Sequence, residues 1–95
     1  MGTVSISAHQ VKNHGGIQVA EGVPLLAENV TSSATSAQSS AMPAKTDIVR
    51  IATDTTIRVL IGSSPTALAT SYRMYQNTVE NFSIREGHKV AVINE

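Results

Sequence analysis

Three histidines, His9, His14 and His88, are the side chains best suited to chemistry near neutral pH, because imidazole titrates there and ligates metals. A zinc or iron centre needs three or four ligands converging from ordered backbone. Here two histidines stand five residues apart beside glycines and the third is remote, which predicts solvated loop histidines rather than a centre. No His-x-Asp or His-x-Glu pair occurs. Gly62-Ser63-Ser64-Pro65-Thr66 lacks the second glycine of a nucleophile elbow and reads as a turn. Asp47, Asp54, Glu80 and Glu86 flank β-rich runs, and paired carboxylates serve acid–base catalysis only where their surroundings split their pKa values. Nothing in the pattern buries them, so they read as solvated strand-end charges. The glycines match no phosphate-binding loop. Tyr72, Arg73 and Tyr75 form the one cluster with a recognition chemistry, since aromatic faces stack on sugars and bases. No catalytic residue, cofactor site or metal site is expected.

The elements that would carry these residues are strands. Ten Val, eight Ile and ten Thr stand against four Leu and three Met, and branching at Cβ favours the pleated sheet over the helix. Val4, Ile6 and Ala8 alternate along one predicted strand, Ile17 and Val19 along a second, and Asn13-His14-Gly15-Gly16 suits a tight reversal between them. Residues 31–44, almost all Ser, Thr and Ala, fit either a flexible linker or a thin small-residue strand. From Lys45 the signal sharpens. Residues 47–53 and 56–62 read as a hairpin about Asp54-Thr55, with Val49 and Ile51 on one face and Ile57, Val59 and Ile61 on another. Leu68–Met74, Glu80–Arg85 and Lys89–Ile93 are further predicted strands. Leu68, Tyr72 and Tyr75 stand at helical spacing, but no cap pair frames a helix. Short strands at this rhythm predict an all-β fold, a small β-sandwich or jelly-roll-like domain over residues 35–95, with residues 1–34 as an N-terminal arm or hairpin. Deleting residues 1–30 is expected to leave the C-terminal domain folded but to abolish assembly.

Ninety-five residues make one small core, and only Phe82, Tyr72 and Tyr75 are aromatic. A chain of this size buries roughly 60–65% of the surface it exposes when unfolded, which leaves a lone monomer marginal. Without cysteine there is no disulfide or thiolate metal site to brace it, so packing against other chains is the expected remedy. Seven basic and seven acidic residues cancel, and the basic ones are scattered, so no nucleic-acid stripe is expected. The opening MGTVSISAHQ lacks the pattern of a secretory signal, and no run reaches the length of a membrane span. These features predict a protein made in a cytoplasm, neither secreted nor inserted in a membrane.

Within residues 47–93, Val49-Arg50-Ile51-Ala52-Thr53, Ile57-Arg58-Val59-Leu60-Ile61-Gly62, Ser64-Pro65-Thr66-Ala67, Glu80-Asn81-Phe82-Ser83-Ile84 and Gly87-His88-Lys89-Val90-Ala91-Val92-Ile93 follow one another. This order resembles the small β-sandwich proteins found among tailed-bacteriophage structural genes, with their VVRIxAT and xRVxxG strands, PTAT loop and closing GxKVAVI. The loop Tyr72–Gln76 departs from that pattern, and residues 1–30 have no counterpart in it. The resemblance implies a non-enzymatic virion or virion-assembly protein: a head-decoration, head-associated or tail-associated subunit. Its implied partners are copies of itself, with a trimer favoured, and other virion proteins. The expected interaction residues are Val4, Ile6, Ile17 and Val19 in the arm, Val90 and Val92 in the last strand, and Tyr72, Arg73 and Tyr75. The alternative reading is a carbohydrate-recognition sandwich that uses the Tyr72–Tyr75 loop.

Overall fold

A computed structural model describes residues 2–14, 17–20 and 24–95, with backbone alone for 12–14 and 17–20. Its strands are β1 (Gly2–His9), β2 (Val11–His14), β3 (Ile17–Ala20), β4 (Leu26–Ser32), β5 (Ala37–Gln38), β6 (Ile48–Thr53), β7 (Ile57–Gly62), β8 (Tyr72–Met74), β9 (Thr78–Ser83) and β10 (Lys89–Asn94). The described residues contain no helix, as the β-branched composition predicts. Eight strands form two antiparallel four-stranded sheets packed together in a sandwich-like fold, one in the order β4-β1-β6-β9 and the other β5-β10-β7-β8. β2 and β3 pair with each other as a separate two-stranded ribbon.

The core follows from the period of two. In β1, Val4, Ile6 and Ala8 are buried while Thr3 and Ser5 are exposed. Register aligns these residues into rows across the first sheet: Leu26, Ala8, Val49 and Phe82, then Glu28, Ile6, Ile51 and Glu80, then Val30, Val4, Thr53 and Thr78. The second sheet opposes them with Val90, Val92, Val59, Ile57 and Met74. The first two rows are aliphatic at their centres and larger or charged at their edges, and the third turns from valine to threonine toward β9.

Several expectations are corrected here. The segment expected to be an arm contains β1, which is hydrogen-bonded between β4 and β6, so residues on both sides of the expected 34/35 division share one sheet. Deleting residues 1–30 would therefore remove an inner strand and most of an edge strand. Val4 and Ile6 pair with Val30 and Thr53 and with Glu28 and Ile51, not with Ile17 and Val19. Ile17 and Val19 lie in β3 opposite β2, and their side chains lie outside the described residues. β6 and β7 are not a hairpin but pass to opposite sheets, because Val49 and Ile51 on one and Ile57 and Val59 on the other are all buried in the single core between the sheets. Thr53 Oγ1 donates to Thr55 O (2.6 Å) and Asp54 N donates to Thr3 O (3.3 Å), which hold that corner. Residues 31–44 pack as structure: they finish β4, supply β5 and bury Ser39 and Met42. No helix of the described residues is long and apolar enough to cross a membrane.

Candidate interaction surfaces

The residues singled out for chemistry mostly perform structural tasks. Asp47 Oδ2 accepts from Val11 N (2.9 Å), Asp54 Oδ1 from Thr3 N (2.8 Å), and Glu80 Oε1 from the Tyr72 hydroxyl (2.6 Å). His9 is buried, with Ser7 Oγ 2.8 Å from its Nε2. His88 lies in the turn after Gly87, whose φ of 82° is a conformation that suits glycine. The side chain of His14 lies outside the described residues, and no group of three or more potential metal ligands occurs among those described. Ser63 and Ser64 are exposed in the turn after β7.

Of the expected contact residues, Val4, Ile6, Val90 and Val92 are at most 1% exposed, so these four serve the core and present nothing to a partner. Alternation suits an outer and an inner strand alike, and register turns these residues inward. Tyr72 and Tyr75 are exposed but take part in separate contacts. The Tyr72 ring meets Phe82 edge-on at 5.6 Å, and its hydroxyl reaches across to Glu80. That hydrogen bond, with reduced hydration and the Glu80 charge, holds the Tyr72 pKa above its usual value. Tyr75 instead lies under the Arg73 guanidinium, 5.6 Å from the ring centre. Arg73 also pairs with Glu95, which lies 3.9 Å from Arg58.

Two glutamates that sequence reading missed, or took for a solvated end charge, close the sides of the sandwich. Glu28 on β4 accepts from Ser40 N (2.6 Å) and Ser40 Oγ (3.0 Å), just past β5 in the other sheet. Glu80 on β9 accepts from Tyr72 on β8. Each carboxylate occupies the inward row of an edge strand and is spent on the opposing sheet. Alternation along β4 and β9 was the available signal, since both glutamates fall on the core-facing parity.

The outer surfaces remain. On the second sheet, the connection 63–71 is tied down by Gln38 Nε2 donating to Pro65 O (2.6 Å) and by Ala67 N donating to Ser36 Oγ (2.9 Å). Pro65 and Ala67 are buried there, as is the outward-pointing Ala91. The outer face of the first sheet has no such cover. Thr3, Ser5, Ala27, Asn29, Thr31, Val79, Asn81 and Ser83 are exposed on it, and Arg50 is the one charged residue of its strands to point outward. A shallow depression of about 460 Å³ lies at one end, lined in part by Thr3, Ser5, Ala52, Asp54 and Val79.

The long edges also belong to the first sheet. Asp54 N to Thr3 O and Ile84 N to Asp47 O continue the β1–β6 and β6–β9 registers. By the alternation of antiparallel ladders, Val79, Asn81 and Ser83 of β9 turn their peptide groups away from the sheet, as do Ala27, Asn29 and Thr31 of β4. Compared with known protein families, curated proteins and solved structures, the chain matches none of them.

Proposed function

We propose that this chain is a non-enzymatic structural or assembly protein of a tailed-bacteriophage particle, a head-decoration, head-associated or tail-associated subunit that works through repeated protein–protein contacts. The observation that carries this reading is the β2–β3 ribbon. Its four-residue strands pair with each other and with no third strand among the described residues. A two-stranded hairpin is marginal by itself in water, and a further packed surface stabilises it. Copies of the chain and other virion proteins supply that surface, and a closed ring such as a trimer matches symmetric positions on a particle. Zero net charge supports close association, because no long-range repulsion opposes it. The carboxylates of Glu28, Asp47, Asp54 and Glu80, spent on loops and seams, favour a structural part over a catalytic one. The motif order over residues 47–93 supplies the particle context, and with it synthesis in the host cytoplasm and residence in the virion.

The test replaces residues 11–23 with Asn-Gly, joining β1 to β4 directly. Light scattering should give a multimer for the full chain and a smaller mass for the shortened one, with similar melting temperatures. Equal masses would remove the ribbon's role, and a solitary, heat-resistant full chain would end the assembly reading.

A further inference from the structure

We infer that the free edge of β9 docks a second copy of this chain, the two β9 strands pairing antiparallel about a two-fold axis so that the first sheet runs on into its equivalent. This pairing rests on the proposed assembly role only in that copies associate, and it uses residues outside the ribbon. Unpaired strand edges are templates for another strand, and natural proteins blunt them with lysine, proline or inward charge. β9 offers six residues without lysine or proline, and its inward charge, Glu80, is drawn aside to the Tyr72 hydroxyl. Val79 and Tyr72, each 53% exposed, and the half-buried Phe82 provide apolar surface beside this edge. The outward residues of β4 are Ala27, Asn29 and Thr31, and the apolar surface beside that edge comes from Leu26 and from Leu25, 38% exposed, before the strand.

The register selects a second copy. Residues directly opposite in an antiparallel pair share a face, so the central self-pairings of β9 place either Glu80 or Asn81 on the axis. With Glu80 on the axis, two like charges stand directly opposite, which is destabilising. With Asn81 there, Val79 faces Ser83 and Glu80 faces Phe82. All three outward peptide groups of each copy are then used, making about six main-chain hydrogen bonds.

Asn81→Pro tests this, since it removes an N–H that points away from β6 and leaves the internal ladder intact. The mass by light scattering should halve with the far-ultraviolet circular dichroism unchanged. Val79→Lys, at a position already exposed, should halve it without altering the backbone, and Asn29→Pro on β4 should leave it as in the parent. A parent chain that is monomeric, or both β9 variants retaining the parent mass, would overturn the pairing. So would Asn29→Pro alone halving the mass, which would assign the edge to β4. The ribbon-shortened chain should still form the β9 dimer, so the two contacts can fail separately.

Discussion

The two outer faces of the sandwich began with the same alternation and ended differently. On the second sheet, residues 63–71 lie across the face, Ala91 is fully buried, and Arg58 and Arg73 gather about Glu95, while Lys89 stands apart at the start of β10. On the first, small polar side chains stand open to solvent and Arg50 is the outward charge of its strands. The covered face belongs to the sheet with short edges of two and three residues, and the open face to the sheet with edges of seven and six. The long strand edges able to pair thus lie with the open face, while the exposed Leu60, Leu68 and Tyr75 belong to the second sheet and its connections.

The largest expected effect breaks this contrast directly. Ala91→Lys buries an unpaired charge beneath the 63–71 connection and should cost about 3 kcal/mol or more. Ser5→Lys, on an inner strand of the open face, should stay within about 0.5 kcal/mol. Urea denaturation of the two variants measures the difference, and equal costs would mean that the cover is not closed. A smaller effect is expected from Arg73→Ala, which removes a half-exposed ion pair with Glu95 and its contact with Tyr75. The loss should be smaller than that of Ala91→Lys and should shrink in high salt. The Nε atoms of Arg58 and Arg73 are buried without hydrogen-bond partners, which limits what the cluster contributes.

The smallest effect is a titration at the seam. Because the Glu80 hydrogen bond raises the Tyr72 pKa, the folded state holds that proton more tightly than the unfolded chain. The associated stability is fully present below the usual tyrosine value of about 10 and is lost as pH rises through the higher folded value. Ultraviolet phenolate absorbance should show a midpoint above the usual value for Tyr72, and Glu80→Ala should bring it back down. An unmoved midpoint would separate Tyr72 from the seam.

Much of the strand content was legible because alternation with a period of two is a local property. Val49 and Ile51, Ile57 and Val59, and Val90 and Val92 declare their strands by residue type alone. The roles of β1 and Glu80 were less visible. Val4, Ile6 and Ala8 alternate with Ser and Thr, a pattern that suits an exposed arm and an inner strand equally. Glu80 reads as a solvated charge until β8 is brought over it.

Strand identity, the small single core and the lack of a disulfide brace were settled by residue types. Partner choice was settled by tertiary structure. Asp54-Thr55 fits a hairpin turn or a crossing between sheets, because both keep the same alternation, and main-chain hydrogen bonds carry no residue-specific label. Only when the two sheets close on one core does it become decided that β6 and β7 separate, that β1 moves inside, and that one face and its two long edges are left open.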